Sequence, residues 1–484
     1  MRQRHGSAVQ SHCNLNREVV RHMLKTEHDE MTGDANFLTR HPTASRLFTP
    51  LVGVSMLVAL TWLYLVGSPA FTPILTAMAS EPFVGPFIDW EWMPSAAECW
   101  AKGVDVYVDN TCFLPLPHGQ HAYSPLWLRA TFLPVGPAWT AGFGFGLAAL
   151  YFAIIACMPA PRTWSGLIFI LLTGISCSSF FAIERGNADL LMFGLTAVGA
   201  ALWGGSLVFR LLGYSAFLTA GLLKFYPMVL LGLTVRERSR TFLLIALALV
   251  AFVGSLAFLY LSELRTALGN IPEEGYFNNL IGAKILPYGF ASLLVKVLGD
   301  RLTAGSFMHV LLTVVLPAGG MLFLLVATVW RGWWLAGACG VRRALTGMSA
   351  WEANMLVAGS VLICGCFFAG RSLPYRGIML MLVLPGLLRL IEILPNRRAA
   401  WMMSATCVAF IMVGWIKLAQ YCLNLVTASG SMPRAVQWLV NELAWWWWII
   451  GTLASVIISL LLEAPFLQAV FSAVTGRARM TRIL

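Results

Sequence analysis

Apolar residues in this chain come in about ten runs of roughly 20 residues each, separated by polar connections. That rhythm limits the fold more than any single motif does. A helical run of this length matches the thickness of a bilayer core. Inside hydrocarbon every backbone N–H and C=O needs an internal partner, so the runs are helices. The expected fold class is an all-α polytopic membrane protein. The composition agrees: 11% of residues are charged, against about 25% in soluble domains.

The runs fall at about 48–67, 136–158, 164–182, 189–209, 241–262, 305–330, 352–369, 377–394, 401–421 and 443–463. An eleventh segment, 211–235, carries Lys224-Phe-Tyr-Pro227 at its centre. Pro227 removes a backbone donor and breaks a helix. A buried lysine at such a break must face protein or water. The expectation is a re-entrant helix pair at 211–235, beside about ten full spans. A weakly apolar piece at 285–298 is expected in the interface.

The formal charge of +11 suggests nucleic acid, but its distribution excludes that partner. Roughly 20 of the 33 Lys and Arg fall on alternate connections, the positive-inside pattern of a protein whose surroundings are membrane lipid. Arg40 and Arg46 precede the first span, which keeps the N-terminus cytoplasmic. Residues 1–46 read as a disordered cytoplasmic tail, 47–465 as the membrane domain and 466–484 as a basic cytoplasmic tail with Arg477, Arg479 and Arg482. The N-terminal tail is too long and polar for a signal peptide, so the first span is expected to remain as an anchor. The expected location is the cell inner (plasma) membrane, with both termini in the cytoplasm.

This topology puts the connections richest in unusual polar residues, 67–134, 184–187, 263–304 and 371–376, on one outer face. The loop Gly67–Pro134 holds Asp89, Glu91, Glu98, Lys102, Asp105 and Asp109 among Trp90, Trp92, Trp100 and Trp127. A carboxylate at a membrane surface, partly dried by tryptophan, can take a proton from a hydroxyl. Asp89 fits that role, and Glu91 and Asp105 stay open as alternatives. Glu184-Arg185-Gly-Asn187 joins two spans by a very short turn, where charges are usually paired or functional. Arg371 and Arg376 bracket a Pro-Tyr at the mouth of two spans, and guanidinium forks suit a phosphate. Lys224 is the deepest cation and calls for an acid or a phosphate as partner.

Other motifs are quieter. His118-x-x-His121 lacks a third ligand, and the ten Cys show no metal-type CxxC, so no metal or cofactor is expected. Cys364-x-Cys366 reads as core, His309 as a hydrogen-bonded core histidine and Trp445–Trp448 as an interfacial aromatic belt. Cys99 and Cys112 are the two cysteines of the outer loop, either paired or separate.

Several of these segments resemble a known family. Asp89, Ala96-Ala97, Gly103, Asp105 and Tyr107 follow a spacing similar to the first-loop pattern of GT-C type, polyprenyl-phosphate-dependent membrane glycosyltransferases, most like family 87, the mannosyltransferase-like group. Tyr123-Ser-Pro-Leu resembles that family's Tyr-x-Pro-Pro-Leu, with Ser124 in place of the first Pro. Arg185-Gly-Asn187-x-Asp189-Leu-Leu is similar to its Gly-Gln-x-Asn-Leu-Leu, with Asn187 and Asp189 as departures. Leu222-Leu-Lys224-x-Tyr-Pro227 resembles its small-residue–Lys-x-x-Pro segment. The likeness covers about 70 to 235.

The resemblance implies a GT-C like bundle and an inverting transfer of mannose or a similar hexose or pentose. The donor would be a polyprenyl-phosphate-linked sugar and the acceptor a lipid or glycan hydroxyl outside the membrane. Asp89 would act as base, with Arg185, Asn187, Lys224, Tyr123, Tyr107, Arg371 and Arg376 around the substrate. Trp90, Trp92 and Trp100 would offer flat faces for sugar rings. The competing expectation is a flippase for a lipid-linked sugar, which calls for midplane polar residues and internal repeats.

Overall fold

The computed structural model describes residues 38–78, 85–113, 119–271, 281–298, 307–370, 372–426 and 437–475. Among them helices are the regular structure, with one isolated bridge between Ile281 and Ser372 in place of any strand. Among the described residues, eight helices are long and apolar enough to cross a membrane: Pro42–Leu65, Pro137–Cys157, Trp164–Glu184, Leu207–Lys224, Ser239–Leu259, Phe307–Ala336, Ala350–Ala369 and Gln437–Glu463. A ninth is added if Arg397–Gly414 and Ile416–Leu423, bent by 58°, form one span. The protein is a polytopic, membrane-embedded helical bundle.

Two expected spans come out short. The run at 189–209 folds only as Asp189–Leu202, about 21 Å long at the rise of an α-helix, and ends in the Gly204-Gly205 turn. The run at 377–394 begins with a 3₁₀ turn, Pro374–Met379, before the helix Leu380–Ile393. Both short helices bury most of their residues, so protein rather than lipid surrounds them. By contrast Ser239–Leu259 buries none of its residues and lies on the outside of the bundle.

The 211–235 segment does reverse, but not as two equal half-helices. The outgoing arm Leu207–Lys224 is long enough to span. Phe225 then takes φ 45°, an unfavourable conformation for a side-chain-bearing residue, and Tyr226–Arg236 returns as a 3₁₀ helix. Glu237 comes back to Arg210 at 2.6 Å and Tyr214 at 3.0 Å, and Arg236 lies over the Trp203 ring. Arg210 and Arg236 therefore share one end of the bundle. That end also carries the Arg162 pairs to Glu352 and Glu392 and the Arg342–Glu463 pair.

The opposite end gathers the polar connections. Glu263 accepts from Tyr107 Oη at 3.2 Å and from Arg129 at 2.6 and 3.0 Å, tying Leu261–Gly269 to the first loop. Asn270 donates to the carbonyls of Tyr107 and His121. Ile281 pairs with Ser372. Within the loop, Cys99 and Cys112 are joined as a disulfide.

Three expectations change, at the two ends of the bundle and at the tryptophan run. The first spanning helix begins at Pro42, inside the expected tail, and Pro465–Thr475 extends the folded part past residue 465. The 285–298 piece is the helix Ile285–Leu298, packed by buried Ile285, Leu286 and Ala291 onto the start of Phe307–Ala336. Trp446 and Trp447 are buried against Phe367, and Trp448 stacks on Arg331 at 3.7 Å, so these rings pack helices together instead of forming a belt. Residues 1–37, 114–118 and 476–484, with His118 and the basic tail, lie outside the described residues.

Candidate functional site

The site is built at breaks in four elements. The first is the helix Ile88–Ala101. Its entry residue, Phe87, adopts φ 62°. Phe87 N–H donates to Glu184 O at 2.6 Å and Asp89 N–H to Arg185 O at 2.9 Å, so two orphan amides of the helix start are satisfied by the neighbouring turn. Gly186, at φ 57°, makes that turn possible. A Cβ there would meet Phe87 Cβ at 3.0 Å and Phe87 Cα at 3.1 Å.

This docking presents Asp89 to the Arg185–Asn187 turn. Arg185 Nε donates to Asp89 Oδ1 at 3.0 Å, and Asn187 Nδ2 donates to Asp89 Oδ2 at 2.6 Å. The two charged side chains are about one-sixth exposed, 15% for Arg185 and 17% for Asp89, so the pair remains reachable. The Asn187 carbonyl faces the other way. It accepts from Lys224 Nζ at 2.9 Å and from the Asp189 amide at 2.9 Å.

Asp189 is the centre of the second half. It opens the helix Asp189–Leu202, where the dipole favours a carboxylate, and it is fully buried. Lys224 Nζ lies 2.9 Å from its Oδ1, Tyr226 Oη donates to Oδ1 at 2.7 Å, and Arg376 Nε lies 3.6 Å from Oδ2. Arg376 also sits 4.3 Å over the Tyr226 ring and bonds Ser372 and Cys366. Tyr123 and Tyr375 flank Lys224, with ring centres 5.6 and 5.4 Å from Nζ. Burial pushes the Tyr123 hydroxyl well above its usual range, so it stays a neutral donor. Trp127 Nε1 caps the Leu223 carbonyl at 3.1 Å, one of the acceptors freed where the Lys224 helix ends.

Asp89, Arg185, Asn187, Lys224, Tyr123 and Arg376 thus form one continuous group around Asp189. Three cations face two carboxylates within it, leaving one positive charge in excess. Arg371 lies outside the described residues. Tyr107 is not part of the group; its ring lies between Trp100 and His121, and its hydroxyl is held by Glu263. Burial and the Glu263 carboxylate both raise the Tyr107 hydroxyl above its usual range. Of the rival acids, Glu91 is two positions from Asp89 on the same helix and faces away. Asp105 is exposed and caps its own turn by accepting from the Tyr107 amide at 3.0 Å.

The tryptophans do less than expected. Trp90 is buried between Phe143 and Trp127, Trp92 meets Phe113 edge-on, and Trp100 is covered by Arg129 and Tyr107. Packing takes the faces of Trp90, while Trp92 and Trp100 remain half-buried. Cys364 and Cys366 are buried, and Cys366 lies against Arg376. Among the described residues no cluster of His, Cys, Asp and Glu could hold a metal.

Sequence reasoning missed Asp189 as a central residue, with Tyr226, Tyr375 and Phe87. For Asp189 a signal was available. An acid and a lysine inside apolar segments are each costly alone, so each calls for the other. No protein-family model, curated protein or solved structure matches this chain.

Proposed function

We propose that this protein is an integral membrane glycosyltransferase. It moves a sugar from a polyprenyl-phosphate donor to a lipid or glycan hydroxyl on the outer side of the membrane, with inversion. The observation that carries the reading is the Asp89–Arg185–Asn187–Lys224–Asp189–Arg376 group, in which a reachable carboxylate adjoins an excess of positive charge.

The reaction needs those two features side by side. The acceptor oxygen attacks the anomeric carbon, its proton passes to Asp89, and the bond from that carbon to the phosphate oxygen breaks. An ionised carboxylate has about four acceptor positions. Arg185 and Asn187 occupy one on each oxygen, which orients the group and leaves positions for a substrate hydroxyl. The sugar donor is a phosphodiester with one negative charge, matching the single excess positive charge of the site. On departure the phosphate gains a second charge, and fixed cations in a dry site stabilise it most at that moment. No metal is required for this displacement.

The reading extends to a GT-C like bundle in the plasma membrane with cytoplasmic termini. Two features support the outer assignment of the site. The Arg-rich connections sit at the far end of the bundle, and the loop beside Asp89 holds a disulfide, which forms in an oxidising compartment.

Asp89→Asn keeps the hydrogen-bonding shape and removes the base. Transfer from a polyprenyl-phosphate sugar by this variant in proteoliposomes is expected to fall by about 10²–10⁴, with donor binding retained. Wild-type transfer rates from folded Asp89→Asn protein would overturn the base assignment. Mass spectrometry of envelope glycans, with and without the chain, identifies the sugar moved.

A further inference from the structure

At the Arg-rich end of the bundle the last span stops at Glu463. Ala464, extended at ψ 119°, turns the chain into a helix of 11 residues, Pro465–Thr475. Two contacts place this helix. Gln468 Nε2 donates to the Leu462 carbonyl at 2.9 Å, taking up an acceptor freed where the span ends. Phe466 packs on Phe242, with ring centres 4.5 Å apart. Phe242 lies in the first turn of Ser239–Leu259, the helix that buries none of its residues. The short helix therefore sits at the level where that lipid-facing helix begins. Leu467, Val470 and Val474 are left 36%, 45% and 80% exposed. Their spacing of three and four puts them in one stripe, with Gln468 and Ser472 on the other side of the helix. A helix of this length is marginal in water by itself, so the stripe calls for an apolar surface. Beside it stand Arg238 and Arg240, both exposed. Neither is paired with an acid, because Glu237 between them is held by Arg210 and Tyr214. Residues 476–484 add three Arg and no acid.

We infer that the helix Pro465–Thr475 lies in the membrane surface and, with Arg238 and Arg240, forms a binding site for anionic phospholipid headgroups. The inference is independent of the transferase reading. Unpaired cations beside an uncovered apolar stripe carry it. Hydrocarbon alone would cover the stripe and strand the guanidiniums. Water alone would hydrate the guanidiniums and leave the stripe exposed. The headgroup boundary of a leaflet that contains acidic phospholipid meets both needs, with acyl carbon under the stripe and phosphate beside the arginines. The height of the helix agrees. Phe242, its packing partner, stands at the step from Arg238 and Arg240 to the apolar run that follows. An acidic soluble protein would satisfy the arginines, but it would have to reach a stripe set at the edge of the hydrocarbon.

The test titrates phosphatidylglycerol against phosphatidylcholine in nanodiscs holding the full chain, with the lipid retained by the protein read by native mass spectrometry. Wild type is expected to prefer phosphatidylglycerol, and added salt to weaken the preference. Arg238→Gln with Arg240→Gln is expected to bind phosphatidylglycerol about thirtyfold more weakly, about 2 kcal/mol for two surface arginines. Arg343→Gln, exposed at the same end but on the helix Val341–Thr346, is the control and is expected to bind as wild type. A photoreactive group placed at Val474 is expected to crosslink phospholipid. That second measurement stands even if the arginine variant fails to fold. Equal retention of the two lipids by wild type, or unchanged retention by the folded arginine variant, overturns the assignment. Crosslinking from Val474 to a soluble protein, or to solvent alone, overturns it as well.

Discussion

Neutralising Asp189 is expected to destabilise the protein more than removing Lys224, although the two form one ion pair. Asp189 is 0% exposed and Lys224 8% exposed, so neither charge has water to fall back on. Asp189→Asn keeps the volume but removes the negative charge that faces both Lys224 at 2.9 Å and Arg376 at 3.6 Å. Lys224, 8% exposed, and Arg376, 19% exposed, are then left with Asp89 as the remaining acid of the group. Removing one partner of a buried pair costs about 3–5 kcal/mol, because the other stays buried and uncompensated. Lys224→Met is milder. Asp189 keeps Tyr226 at 2.7 Å and Arg376, so the loss is that of one charged hydrogen bond, about 1.5–3 kcal/mol. The double variant is expected to be more stable than Asp189→Asn alone, since Arg376 still has Ser372, Cys366 and the Tyr226 ring. Melting of the four proteins in nanodiscs, followed by tryptophan fluorescence, gives the order directly. If Asp189→Asn melts with the wild type, or below it by no more than Lys224→Met, the central role of Asp189 is refuted.

The disulfide closes a loop with a sequence separation of 13. Cys99→Ser with Cys112→Ser is expected to cost about 2–3 kcal/mol, read as a lower melting temperature that reductant lowers no further. His121 is fully buried, with Nε2 toward the Ser124 carbonyl at 3.5 Å, and burial pushes it down to about 4 from 6.5. The folded state thus refuses a proton that the unfolded state accepts below pH 6.5. Stability from this group is full above that pH and is lost as pH falls toward 4, up to about 3 kcal/mol. His121→Gln should flatten the wild-type difference in melting temperature between pH 7 and pH 4; an unchanged slope refutes the assignment.

Hydropathy made the helices legible because lipid leaves a chain so few choices. Pro137–Cys157 and Ala350–Ala369 lie within two residues of the expected bounds. Length failed where helices are wrapped by protein, as at Asp189–Leu202, because a helix shielded from lipid has no need to match a bilayer. Charge bias read the turn at Phe225 correctly, since Arg236 had to return to the side of Arg210. In the site, Asp89, Arg185, Asn187, Lys224 and Arg376 were visible as polar residues that an apolar chain does not carry freely. Tyr107 was not separable from them in sequence. It lies 18 positions beyond Asp89, and only the clasp to Glu263, 156 positions further on, takes it elsewhere. The tryptophans misled for a related reason. A ring in a polar loop can meet a substrate or close the loop on itself, and Trp90, Trp127 and Phe143 chose each other.

The placement of the charged group follows from the same constraint that made the spans readable. A polar side chain in an apolar bundle needs partners, and the ends and breaks of helices, where backbone groups also lack partners, supply them. Each member of the group sits at such a point. Asp89 follows the left-handed Phe87, Arg185 and Asn187 flank Gly186, Lys224 precedes the strained Phe225, and Arg376 lies in the 3₁₀ turn Pro374–Met379. The unmade backbone bonds at these breaks are taken up across elements, Phe87 by Glu184, Asp189 by Asn187 and Leu223 by Trp127. One set of contacts thereby closes the helix ends and fixes the distances between carboxylates and cations. Strain of this kind costs about 1–3 kcal/mol per residue and persists where surrounding structure over-determines it. Here the over-determination is the charged group itself, so loosening a break and disordering the site are the same event.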